Sequence, residues 1–399
     1  MKKFFSILLC LLFLGSASIF VACNNDSGNT PIDPETPIDW DTIDWEGNND
    51  TSTNIRVVFS THFKSYYENL INEFEAEHSE YTVEPIWAAA GDGVQQQQNS
   101  LIGGNDAPDL IVGGDVHILS QSGLLLPLNK LVERDDAEVD FDDFIPQTIE
   151  PLYYGEGLYY LPDYFNVGLL YYNKDIFDEA GIPYPDSTWT FDKYMEVAKQ
   201  LTKTETKDGV TRYTQWGGDF DMVWGSQWVT MVRQHGGEVF NEEGFLTLNT
   251  AEAKAAFQAY IDMVGVTQQP DTWDKKIAAG PSDDNLGGFE GRKTAMVYGG
   301  HTGTMEAFNS IALLDWDVEL LPIGPNGTRN GGEFAVDGYG IYKNSKNKKG
   351  SWELLKFMTR KRDEQEMREF NWPSPRISGR DILLAQDPED RRSPQNLEA

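Results

Sequence analysis

Eleven tryptophans, five histidines and 64 acidic residues are the groups in this 399-residue chain with chemistry to offer. Their spacing disfavours most reactions before it favours any. His62, His78, His117, His235 and His301 show no HxxxH pair and no CxxC occurs, so a zinc site has no support. No GxSxG elbow or P-loop is present, and Gly91-Asp92-Gly93 has Gln96 where a dinucleotide fingerprint needs its third glycine. The acidic run Asp39 to Asp50 lacks regular calcium-loop spacing and reads as solvated chain. With so many carboxylates, acid pairs arise by chance and do not argue for acid/base catalysis. No cofactor is expected. Flat Trp and Tyr faces beside Asp, Asn and His suit a ring that carries hydroxyls, whether it is only bound or also cleaved.

These residues need a scaffold, and the first half of the chain spells one. Ile55 to Phe59 reads as a strand, and Phe63, Tyr67, Leu70, Ile71 and Phe74 form the buried stripe of a helix. A strand from Tyr81 to Ile86, a helix from Val94 to Ile102 and a strand from Asp109 to Val112 follow. This alternation means parallel pairing with right-handed crossovers, and ligands bind such sheets at the carboxyl ends of the strands. His62, Trp87 and Asp115 stand at those ends. Further on, Trp224 and Trp228 are four apart on an expected helix, behind a polar turn, Gly217 to Asp221, that carries Asp219. Between the two regions lies GLLYYNKDIFDEAGIPYPDSTWT, Gly168 to Thr190. It reads as a buried strand, an Asn173-capped helix ended by Gly181, a proline turn, and a Thr190-capped helix with stripe Phe191, Tyr194, Met195, Ala198 and Leu201.

That stretch resembles the extracellular solute-binding proteins (family 1), the maltose-binding-protein-like partners of sugar ABC importers. FEGRKTAMVYGGHTGTM (Phe289 to Met305), FAVDGYGIY (Phe334 to Tyr342) and NWPSPR (Asn371 to Arg376) carry the resemblance further. It implies a two-lobed α/β fold, each lobe a mainly parallel sheet flanked by helices, joined by three hinge crossings. The expected N-lobe is 54–163 with 294–336, and the C-lobe 164–293 with 337–399. The resemblance places Asp163 and Tyr164 near the hinge, Tyr298 and His301 beside the Gly-Gly pair, and Trp372 on a cleft-edge loop, all facing solute. In the family several helices usually follow that loop, whereas here a polar, charged run leads to Ala399.

The N-terminus fits such a protein. Lys2 and Lys3, an apolar core from Phe4 to Phe13, small residues, and Cys23 after Ala22 read as a secretion signal over 1–22. The region resembles a lipobox, with Phe20 where Leu is preferred, so Cys23 is the expected lipidation site and the cell membrane the expected location. Residues 23–53, acidic and loosely repetitive, read as a disordered tether. A net charge of -32 argues against a nucleic-acid partner. The function expected is a monomeric extracytoplasmic lipoprotein that is not an enzyme. It would bind a carbohydrate, an oligosaccharide above all, and deliver it to ABC permease subunits. The rival expectations are a secreted glycoside hydrolase and a surface sugar sensor or adhesin on the same fold.

Overall fold

The computed structural model describes residues 32–379 except 90–92, 221–224, 242–244, 264–266, 269–287, 303–304, 330–331, 333 and 363–372. The described chain is mixed α/β and divides into two compact units. The first runs to Tyr164 and takes in Val336–Arg362 and Pro375–Ile377; the second is Phe165–Ala335 with 373–374 and 378–379.

The first unit is built as its periodicity predicts. Strand β1 (Asn54–Ser60) is flanked by parallel partners β2 (Thr82–Ala88) and β3 (Leu110–Val112), with helices α1 (Lys64–Glu77) and α2 (Gly93–Gly103) between them. Helix α1 buries Tyr67, Leu70, Ile71 and Phe74 of the stripe read from the sequence against Ile55, Val57 and Phe59 of β1, while Phe63 lies in the turn ahead of the helix and is only partly buried. Helix α3 (Val116–Gln121) follows β3. The first residues of β4 (Leu161–Asn173) complete this unit's early chain, and β4 then runs on into the second unit.

In the second unit β4 is the organiser. Asn173 ends it and accepts from the Ile176 amide at 3.2 Å, capping α4 (Lys174–Ala180), which Gly181 closes at φ 64°. Thr190 accepts from the Lys193 amide to cap α5 (Phe191–Leu201), whose expected apolar face is buried. Strand β5 (Gly218–Asp219) precedes α6 (Gly225–Gln234) and α7 (Ala251–Met263), and pairs in parallel with β6 (Thr267–Gln268) and β7 (Met296–His301). Both β7 and β8 (Trp316–Glu319) run antiparallel to β4. Strand β9 (Phe334–Ile341) carries the chain back to the first unit, where it pairs antiparallel with β3 and leads to helix α8 (Lys348–Met358).

Two expectations change here. The segment 294–336, assigned from the sequence to the first lobe, belongs through Ala335 to the second unit, because β7 pairs with Gly168–Tyr172 of β4, and of 337–399, assigned to the second lobe, the stretches through Arg362 and Pro375–Ile377 belong to the first unit, where β9 pairs with β3. The described part of the expected tether is not a loose chain either. Ile43 and Trp45 pack on the first unit's core, Lys130 sits 5.6 Å above the Trp40 ring, and Thr51 donates to the Lys346 carbonyl at 2.8 Å. Asp44 accepts from Asn48 and Asn49 and faces Lys348. Its few apolar residues are spent on docking, which composition averaged over the segment hides.

Candidate functional site

In the first unit the carboxyl ends of β1, β2 and β3 gather His62, Trp87 and Asp115 as the strand order predicts. His62 lies in the exposed turn Thr61–Phe63 after β1, its ring edge-on to Phe63 at 4.6 Å. Trp87 pairs in register with Phe59, its ring 6.0 Å from that of Phe59 and 5.3 Å from Lys64 Nζ, and is half-buried. Asp115 is exposed but employed: one carboxylate oxygen accepts from the amides of His117 and Ile118, capping α3. A carboxylate keeps acceptor capacity while capping.

The loop between β3 and α3 is shaped by Gly113 and Gly114, both at positive φ (57° and 81°), which side chains rarely adopt. A Cβ on Gly113 would stand 3.1 Å from a carboxylate oxygen of Asp337, within β9. The Gly113 amide donates to the Gly338 carbonyl at 2.9 Å, and its own carbonyl accepts from the Tyr160 hydroxyl at 2.8 Å. Tyr164 donates to Asp337. Burial first, then the Asp337 charge, holds the Tyr164 hydroxyl well above its ordinary pKa. Burial likewise raises Tyr160, with Asp337 and then Asp115 adding to it, so two carboxylates border this loop. Asp337 was missed in the sequence because it stands 224 positions from Gly113, inside a strand read only as a crossing.

Asp163 departs from expectation. It is 2% exposed and forms a buried ion pair with Arg362, which also donates to the Asp163 carbonyl at 3.2 Å. Its other carboxylate oxygen accepts from Tyr339 at 2.6 Å, and the Tyr339 hydroxyl lies 3.2 Å from that of Tyr67. This carboxylate is turned into the protein and is not a solute acceptor.

In the second unit, Asp219 is half-buried in β5 opposite Val297 of β7, close enough to Tyr194 for its charge to raise that phenol after burial and Tyr298 have done so. Trp228 is half-buried on α6, stacked at 6.5 Å on Phe257 of α7. Tyr298 is the second departure. At 0% exposure it is ringed by Tyr194, Phe220 and Phe191 at 4.9, 5.5 and 6.1 Å, and its hydroxyl donates to Gln234. It is core, not a platform. The register shift between Tyr298 and Gly300 breaks the strand's alternation and brings Gly299 (φ 75°) to the Gln227 amide, which donates to its carbonyl at 3.2 Å. Nearby, Thr302 bonds Asn166 at 3.1 Å, a buried polar pair the sequence reading did not single out. Trp224, Trp372 and Cys23 lie outside the described residues, as does the His301 side chain. Among the described residues no group of three or more His, Cys, Asp or Glu is placed to hold a metal ion.

The profile of the bacterial extracellular solute-binding protein family matches residues 60–365. The chain belongs to that family. Solved members share the two-lobed fold. An ABC substrate-binding protein from Listeria monocytogenes in complex with cycloalternan superposes at a TM-score of 0.68, with 23% identity over 86% of this chain and 85% of that one. The GacH receptor of Streptomyces glaucescens, solved with acarbose, gives 0.66 with 21% identity over 83% and 82%. Among curated sequences, an arabinooligosaccharide-binding protein of Halalkalibacterium halodurans is 33% identical over 179 residues, 43% of this chain and 37% of that protein. This solute-binding protein therefore spans little more than a third of that relative in the aligned part.

Proposed function

We propose that this solute-binding protein is a non-catalytic lipoprotein that binds a carbohydrate, an oligosaccharide above all, and hands it to an ABC permease. Membership of the family over residues 60–365 is the observation that carries the reading. The chemistry of the described candidates supports it: Trp87 and Trp228 are half-buried aromatics, and Asp115, Asp219 and Asp337 are carboxylates able to accept from hydroxyls. The printed ligands of the relatives, cycloalternan, acarbose and arabinooligosaccharide, point to the same class of solute. Closing on a solute requires only that it bind the closed state better than the open one.

A thermal-shift screen over arabino- and malto-oligosaccharides tests this. A sugar present at a hundred times its dissociation constant should add about 2.7 kcal/mol of apparent stability, and it should be recovered unhydrolysed. No shift with any sugar sinks the carbohydrate assignment, and turnover would make the protein a glycosidase.

The anchor is a separate expectation. Cys23→Ala should move the protein from the membrane fraction to the medium or a soluble fraction, because acyl chains on Cys23 are the proposed hold on the bilayer. Fractionation with N-terminal sequencing checks it. Retention of an uncleaved variant in the membrane would show that the apolar stretch itself is the anchor.

A further inference from the structure

We propose that Asp337 is the solute-binding carboxylate of the first unit and that Tyr164 is its positioning residue. The inference rests on the carbohydrate-binding reading and assigns within it a residue pair that the sequence had distributed differently.

Three features carry it. The first is place. Asp337 stands two residues before the part of β9 that pairs with β3, and its carboxylate reaches Gly113 in the turn at the carboxyl end of β3, the edge of the sheet where parallel strands present ligands. Both glycines hold positive φ and bring no side chain of their own to this turn, although the Gln95 side chain packs over Gly114.

The second is the set of bonds. The Tyr164 hydroxyl donates to Asp337, and it takes one of the roughly four acceptor positions of a carboxylate. The donor is itself fixed: Tyr164 follows Asp163, which is held by Arg362 and Tyr339. Burial and the neighbouring charge both keep Tyr164 protonated, so it acts on Asp337 only as a donor.

The third is the division of labour between carboxylates. Asp163 is neutralised by Arg362 inside the protein, whereas Asp337 is half-buried at the strand ends, with Asp115 also bordering the loop beneath Tyr160. A half-buried carboxylate oriented by a phenol suits a ring hydroxyl, because a charge-assisted bond from that hydroxyl is shorter and stronger than a neutral one.

The test uses the full-length protein and whichever of arabinotriose and maltotriose stabilises the wild type, with dissociation constants from calorimetry. Asp337→Asn keeps the shape and removes the charge, and binding should weaken by roughly ten- to hundredfold, the scale of one hydrogen bond to a charged group. Tyr164→Phe should weaken binding severalfold in the wild-type background and add almost nothing in the Asp337→Asn background, a non-additivity that a purely structural role would not produce. If Asp337→Asn fails to fold, Asp337→Glu replaces it. Displacing the charge by one methylene should still cost about tenfold. Unchanged affinity in whichever Asp337 variant folds overturns the assignment, and additive losses in the double variant overturn the role of Tyr164. If neither sugar shifts the wild type, the carbohydrate reading and this inference fall together, an outcome distinct from the other two.

Discussion

Replacing Arg362 with Met should lower unfolding stability in urea by about 3–5 kcal/mol, because Asp163 would be left in the interior with its cation removed. The pair is nearly sealed, at 4% and 1% side-chain exposure. Arg362 also donates to Tyr66 at 3.2 Å and to the Met358 carbonyl, so one guanidinium joins helix α8 to α1 and to the start of β4. Burial by itself would lower its pKa, but the facing Asp163 carboxylate overrides this and raises it, so the group is charged at every pH at which the protein folds. Asp163, Tyr339 and Arg362 lie near where the chain enters or leaves the first unit: Asp163 just before Phe165, Tyr339 four residues after Ala335, and Arg362 at the end of its segment. The double variant Asp163→Leu/Arg362→Met should recover much of the loss, since removing both charges leaves no unpaired one. A single-variant loss under 1 kcal/mol would show that water reaches the site and that the pair is not structural.

The second large effect separates a core tyrosine from a binding one. Tyr298→Ala should cost about 3–5 kcal/mol of folding stability, the usual range for emptying a buried aromatic site. Gln234, which accepts from the hydroxyl, would lose that partner as well. Tyr298→Phe keeps the ring and should cost about 1–3 kcal/mol through that acceptor alone. Neither change should alter the affinity of the folded protein for sugar. A Tyr298→Phe protein that melts normally but binds poorly would return Tyr298 to the site and count against the packing described above.

What the sequence by itself determined is local or periodic. The stripe of α1 from Tyr67 to Phe74 and that of α5, the Asn173 and Thr190 caps and the Gly181 stop all depend on residues within four positions of one another, and all stand in the structure as read. The strand-helix alternation from Ile55 to Val112 likewise dictates parallel pairing, and with it the edge that collects His62, Trp87 and Asp115. Family-like motifs extended this reading to the fold and to solute binding.

What only the tertiary structure decided is which way neighbouring polar and aromatic residues face. Asp163 and Tyr164 are adjacent, and nothing near them in sequence says that Asp163 answers to an arginine 199 positions away while Tyr164 bonds a carboxylate 173 positions away. Tyr298 had the composition of a platform, but the register shift at Gly299 is set by pairing with Gly168–Leu170, and the space its ring fills is made by α5 and β5. The same holds for Ile43 and Trp45, whose acidic surroundings suggest free chain until a core across the fold gives them a surface to cover. In each case the deciding energy is burial or pairing with a distant partner, which no window of local sequence contains.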